Sequence, residues 1–285
     1  MVALTQRGVR AAAFLAGFVL GQADACPAAL QAAEPSWFWQ EPGRRDPEAG
    51  KPVSKSVLTF GAEIWSSTVR GDLESNRSGI TDTKFRLAGD TGIEDQVLPR
   101  FFVDYSPDSS YSIRLDLRWL DASGSNTLGQ PVVFDGVSFP QGGEVSCDFL
   151  ATWIGVEWRV HLGSETAEGF HGDSVVAVRW LDAQFEMSGA PGKGRQTYSI
   201  ETLGYGFDMK HVFQPGVYVG GDIGVWWGFD DSFIGGEFAL KAGYQSTQVD
   251  VELGFRWWSI AGAINDEPDL DLRMRGPFIG ATVQF

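Results

Sequence analysis

Catalysis on a protein scaffold needs a base or nucleophile held at bonding distance from a partner, and this chain is sparing with bases. Three histidines are present: His161, His171 and His211. A hydrolase acting on acyl or peptide bonds would need one of them beside Asp, Glu or Ser. His161 and His211 could approach each other near Asp208 and Lys210, which would make a weak metal or proton-linked site. Taken singly, each histidine reads as a surface or rim residue. The paired glycines Gly142-Gly143, Gly220-Gly221 and Gly235-Gly236 precede no Lys-Ser/Thr on a helix, so they are not phosphate loops. They suit bulges and strand crossings instead. The expectation is therefore a non-enzymatic protein without metal or cofactor, with a His-dependent hydrolase as the residual alternative.

The ionisable residues that recur do so by alternation. Arg114, Asp116 and Arg118 interleave with Tyr111, Ile113, Leu115, Leu117 and Trp119, and Asp250, Glu252 and Arg256 with Val249, Val251, Leu253, Phe255 and Trp257. Glu157 and Arg159 oppose Ile154, Val156, Trp158 and Val160 in the same way. Period-two alternation marks strands. Here one face is apolar and the other ionised over about nine residues, the length that crosses a bilayer when tilted. Glu63, Asp182, Glu186, Asp222, Glu237 and Lys241 lie in comparable segments, and with those above they are expected to fill a lumen.

The elements that must position these charges are ten strands, near 57–69, 98–106, 110–122, 144–162, 173–188, 197–213, 216–228, 233–245, 248–261 and 272–285. Eight or twelve are the neighbouring solutions. Short turns such as Gln214-Pro215-Gly216 and Gln245-Ser246-Thr247 alternate with the mostly longer segments 70–97, 123–143, 189–196 and 262–271, with 163–172 a long periplasmic exception and 228–232 a short outer one. Short periplasmic turns, long outer loops and an even strand count are the pattern of an outer-membrane barrel. Closure is required because an open sheet in hydrocarbon leaves two edges of unpaired amides. The fold expected over 55–285 is all-β, a closed antiparallel up-and-down transmembrane barrel. Some of Trp119, Trp158, Trp180, Trp226, Trp227, Trp257 and Trp258 should form interfacial girdles, the others core.

Residues 1–25 read as a signal peptide: Arg7 and Arg10, the apolar run Ala11 to Leu20, then the small-x-small site Ala23-Asp24-Ala25. Residues 26–54, broken by Pro27, Pro35, Pro42, Pro47 and Pro52, read as a flexible periplasmic leader. A net charge of −15 argues against nucleic acid as a partner. Two cysteines, Cys26 and Cys147, make no disulfide framework. Cys26 follows the cleavage site, where a lipid anchor is the alternative to a free thiol, and a bridge between the two would have to thread a filled lumen.

The final strand Gly276-Pro277-Phe278-Ile279-Gly280-Ala281-Thr282-Val283-Gln284-Phe285 ends on Phe. It resembles the membrane-insertion signal of bacterial outer-membrane barrels, which implies recognition of Phe285 by the barrel-insertion machinery. Thr83-Lys84-Phe85-Arg86 through Gly92-Ile93-Glu94-Asp95, the segment Phe134 to Gly142, and Gly254-Phe255-Arg256 followed by the Gly276-Pro277 strand are similar to small outer-membrane β-barrel proteins of the OmpA-like, porin-like class. The resemblance covers roughly 57–285 and implies fold and location, not activity.

A ten-strand barrel is little wider than the eight-strand type whose side chains fill it. The charges are therefore expected to pair across the lumen and plug it, since buried ions are tolerable only when paired. A narrow channel for ions or small polar solutes is the alternative. Outer-loop carboxylates Asp72, Glu74, Asp82, Asp90, Glu94, Asp95, Asp266, Glu267, Asp269 and Asp271 could bridge divalent cations to lipopolysaccharide phosphates. The expected partners are outer-membrane lipid, lipopolysaccharide and the insertion machinery.

Overall fold

In the computed structural model the described residues are 56–285, apart from 74–75, 78–79, 82, 108, 164–167, 214–215, 230–232 and 263–269. The proposed signal peptide, the leader and Cys26 lie outside them. Ten long strands follow one another: β1 Val57–Leu73, β2 Asp95–Ser106, β3 Tyr111–Thr127, β4 Glu144–Gly163, β5 Gly169–Gly189, β6 Gly192–Val212, β7 Val217–Gly228, β8 Phe233–Gln245, β9 Val249–Gly262 and β10 Leu270–Gln284. Each pairs antiparallel with its sequence neighbours, and β10 also pairs with β1, so that Ile279 lies opposite both Leu253 and Ile64. The barrel is closed.

Side chains alternate outward and inward along every strand. Over the lower part of the wall the outward residues are apolar and exposed, among them Ile64, Phe101, Leu115, Trp158, Val176, Ile223, Leu240 and Leu253. On β8 this band runs from Ile234 to Tyr244, about 25 Å of height at a tilt of ~40°. Trp119, Trp158, Trp227 and Trp257 are exposed on it, whereas Trp180, Trp226 and Trp258 are buried.

Above the band the pattern inverts. Along β3 the outward set Leu115, Leu117 and Trp119 continues as Asp121, Ser123 and Ser125, while the inward set Asp116 and Arg118 continues as Leu120 and Ala122. On β4 the outward residues Glu144, Ser146 and Asp148 are exposed, and Val145, Cys147 and Phe149 are buried inside. A change of solvent accounts for this pattern: a wall facing hydrocarbon hides its ions, and a wall facing water hides its apolar groups. β4, β5 and β6, of 20, 21 and 21 residues, rise furthest beyond the band. The segment 189–196, expected as an outer loop, is mostly strand, because Ala190-Pro191 alone joins β5 to β6.

The inverted zone contains its own core. The chain between β1 and β2 adds the two-residue strand Phe85–Arg86 to β1 and continues into a one-turn helix, α1 Leu87–Thr91. Between β3 and β4 a hairpin pairs Val132–Phe134 with Val137–Phe139. Its turn, Asp135-Gly136, has φ of 49° and 74°, as a tight two-residue hairpin requires. Phe85, Phe134 and Phe185 pack with ring centroids 5.3–5.5 Å apart. Leu73, Leu87, Ile93, Phe139, Phe149 and Met187 complete a core closed to solvent. Gly124 on β3 lets α1 dock, because a Cβ there would lie 2.6 Å from the Thr91 carbonyl oxygen. The Cys147 thiol is free and sits within this core.

Candidate functional site

The inward face of the band carries a connected set of charges. Glu63 on β1, Arg100 on β2, Asp116 and Arg118 on β3, Glu237 on β8 and Arg256 on β9 close a six-membered cycle of alternating sign. Arg256 grips both oxygens of Glu63, the second through Nη2 at 3.0 Å. Arg100 lies 3.5 Å from Glu63 and donates to Asp116 at 2.5 Å. Arg118 donates to Asp116 at 3.0 Å and to Glu237 at 3.2 Å. The cycle closes where Arg256 Nε approaches Glu237 Oε1 to 2.9 Å, a Coulombic contact whose N–H is not aligned for a hydrogen bond. All six residues are buried, Arg256 to 1% exposure. Three carboxylates thus face three guanidinium groups, the arrangement in which buried charge is tolerated.

From Glu237 the network descends toward the strand ends that carry both termini of the barrel. Arg179 bridges Glu237 and Glu157, and Arg159 bridges Glu157, Asp173 and Asp208. Lys241 joins Asp208 and Asp222 at 2.8 and 2.7 Å, with Glu252 at 3.9 Å. Tyr218 donates toward Asp250 at 2.7 Å and Glu252 at 3.1 Å, and Lys210 lies 3.4 Å from Asp250. Arg114 pairs with Asp104 through two hydrogen bonds. A cavity of about 280 Å³ opens among Arg159, Asp173, Asp208, Lys241 and Glu252.

Above the cycle sits an aromatic tier. Trp153 meets Trp258 edge-on at 5.6 Å, Trp226 lies 6.2 Å from Trp258, and Trp65 donates to the Gly276 carbonyl at 3.1 Å. Arg179 stacks over Trp226 at 4.6 Å, and Arg256 lies 4.5 Å from the Phe278 ring centroid. Cation–π contacts of this kind strengthen where water is excluded. The phenylalanine core of the outer zone lies above this tier.

Of the charges expected in the lumen, the structure brings together Glu63, Arg114, Asp116, Arg118, Glu157, Arg159, Asp222, Glu237, Lys241, Asp250, Glu252 and Arg256. Asp182 and Glu186 are corrections. They alternate with the buried Leu181, Ala183, Phe185 and Met187, so they stand on the outer wall above the band, where Ser199 donates to Asp182 and Lys193 pairs with Glu186 at 2.6 Å. The reason is the inversion of the wall, which turns the ionised face of β5 outward above the band. Arg100, Asp104, Asp173, Arg179, Asp208 and Lys210 join the network although the sequence reading left them out of it. Arg100 hides in a run where Phe101 and Phe102 take opposite faces, and Arg179 beside Trp180 and Leu181, which are both buried. Strict parity carried along each strand would have found all six.

His161 and His211 do not converge. His161 Nδ1 lies 2.7 Å from Asp173 inside the lumen, whereas His211 is exposed outside and packs on Phe213. The site expected between them therefore does not form. Among the described residues no group of three or more His, Cys, Asp or Glu is placed to hold a metal ion. Phe285 exchanges backbone hydrogen bonds with Leu58 and sets its exposed ring edge-on to Phe60 at 5.8 Å.

No family model matches the chain, and no curated protein matches its sequence. Among solved structures, the outer membrane protease OmpT from Escherichia coli superposes with a TM-score of 0.50 at 8% identity, over 80% of this chain and 97% of that one. The fold is that of the bacterial outer-membrane β-barrels. Other outer-membrane barrels align more loosely. Ail, the attachment invasion locus protein of Yersinia pestis, gives a TM-score of 0.36 at 7% identity over 80% of this chain and 98% of its own. The COG4313 outer membrane channel from Pseudomonas putida F1 gives 0.38 at 9% identity, over 85% and 100%. At such identities the likeness extends to the fold and carries no activity with it.

Proposed function

We propose that this protein is a permanently closed barrel of the Gram-negative outer membrane that holds a compact folded platform at the cell surface, in a structural or surface-binding role rather than as an enzyme. The observation that carries this reading is the stacking of three obstructions in one lumen: the charge cycle, the tryptophan tier and the phenylalanine core. Ions crossing the lumen would first have to part ion pairs that are buried and linked in alternating sign. They would then enter an apolar constriction, where dewetting adds a barrier. The cavity on the side of the termini reaches up to Arg100, Arg118 and Glu237 of the cycle and to Trp226 of the tier, and above it the phenylalanine core is closed to solvent. Outer-membrane residence is supported by the exposed apolar band and by the fold. In this reading Phe285, hydrogen-bonded to Leu58 where β10 meets β1, serves as the residue that an insertion machinery reads.

Planar-bilayer recording tests the proposal. The intact protein is expected to give no steady openings, while deletion of the hairpin segment 128–143 should at most admit water to the upper zone and leave the charge cycle closed. Steady single-channel conductance from the intact protein would favour the narrow-channel alternative and end this reading.

A further inference from the structure

The outer wall just above the apolar band is not uniformly charged. On β3 to β6 its outward residues include Asp121, Asp148, Asp182 and Glu201. At the β10–β1 seam they are arginines. Arg70 lies directly opposite Arg273, and Arg275, two residues further along β10, lies opposite Thr68. Arg86, opposite Asp72, extends the cluster by one strand. Like charges set directly across a ladder destabilise it, so this placement carries a cost that a bound anion would remove. Among the described residues the nearby carboxylates are engaged: Asp271 holds Arg273 at 2.7 Å, Asp90 lies 3.8 Å from Arg86, Asp72 pairs with Lys84 at 3.6 Å, and Asp95 accepts from Thr68 at 2.7 Å. Arg70 and Arg275 make no ion pair among the described residues.

A cleft of about 880 Å³ runs past these arginines and down the outside of the barrel. Its lower part is apolar, flanked by Phe238 and Trp257, whose rings lie 5.4 Å apart, and floored by Gly236, which offers no side chain. Trp257 is opposite Arg275 across the β9–β10 ladder. Arg275 follows Pro277 and Ile279 upward on the outward face, so it stands at the first position beyond the hydrocarbon band. The start of β1 and the end of β10 lie together at the opposite end of the barrel, and the long connections that carry α1 and the Val132–Phe139 hairpin lie at this one, which, on the outer-membrane reading proposed above, puts this edge at the outer leaflet. A basic head position directly above an apolar trough fits a phosphorylated amphiphile, and guanidinium groups are the side chains best suited to phosphate.

We propose that the β10–β1 seam binds the phosphorylated disaccharide headgroup of lipid A in the outer leaflet, through Arg70, Arg273 and Arg275, with an acyl chain lying along Trp257 over Gly236. The test uses the full chain in detergent micelles and native mass spectrometry. Probes are lipid A carrying both phosphates, its fully dephosphorylated form, and inorganic pyrophosphate. Bisphosphorylated lipid A should remain bound, and R70Q/R273Q/R275Q should weaken its retention about tenfold or more. Glu201→Gln with Asp121→Asn, on the opposite wall, should leave it unchanged. Heat-modifiable gel mobility verifies that each variant is a closed barrel, and a triple Lys variant should recover part of the binding. Equal retention by the Gln variant, equal binding of the dephosphorylated lipid, or pyrophosphate binding as tightly as the lipid would each overturn the proposal.

Discussion

Arg256 is the residue on which the closed lumen leans most, and its removal is the sharpest perturbation of the charge cycle. Its guanidinium is 1% exposed, holds Glu63 through two hydrogen bonds and stands 2.9 Å from Glu237. Arg256→Met keeps much of the volume but leaves two buried carboxylates with weakened compensation. Breaking one partner of a buried pair costs about 3–5 kcal/mol. Arg100 remains 3.5 Å from Glu63 and Arg118 3.2 Å from Glu237, so the lower end, about 3 kcal/mol, is expected. Adding Glu63→Gln removes the stranded charge, and the double variant should cost no more than Arg256→Met alone. The assay is urea unfolding of the lipid-embedded protein followed by tryptophan fluorescence. A cost below about 1 kcal/mol for Arg256→Met, or a double variant equal to the sum of its singles, would refute a coupled, energetically closed cycle.

Three further outcomes follow from the inversion of the wall. Leu115→Arg, in the exposed apolar band, should destabilise the folded protein in lipid by about 2–4 kcal/mol, while Ser123→Arg on the same strand face should stay within about 0.5 kcal/mol; the same urea titration compares them. Phe185→Ala removes a ring packed on Phe85, Phe134 and Phe149. It should cost about 3–5 kcal/mol and speed protease cleavage of the Val132–Phe139 hairpin. Asp182→Asn with Glu186→Gln, both on the wetted outer wall, should change stability by no more than about 0.5 kcal/mol; a loss like that of Arg256→Met would return them to the lumen.

The barrel was legible because lipid leaves the backbone one way to satisfy itself and the side chains one way to face. Strands such as Tyr111 to Trp119 and Val249 to Trp257 announce both in their alternation. What the sequence obscured was the change of solvent along a single strand. Leu120 and Ala122 break the apolar-outward phase of β3, and read without that change they look like the end of a strand. Asp182 and Glu186 stand outside for the same reason. Pairing across the lumen is harder still to see, since Arg118 and Glu237 are 119 residues apart and meet only after the barrel closes. The outer core was hidden because Phe85, Phe134 and Phe185 reach it from three separate elements.

Spin labels placed singly along β3 in a lipid bilayer, read by collision with oxygen and with a water-soluble nickel chelate, test the whole arrangement at once. Labels at the outward positions of Ile113, Leu115, Leu117 and Trp119 should collide mainly with oxygen, those at Asp121, Ser123 and Ser125 mainly with nickel, and one at the inward Ala122 with neither. Nickel access at Ala122, or the same accessibility at every outward position, would contradict a closed barrel whose wall turns itself inside out as it leaves the membrane.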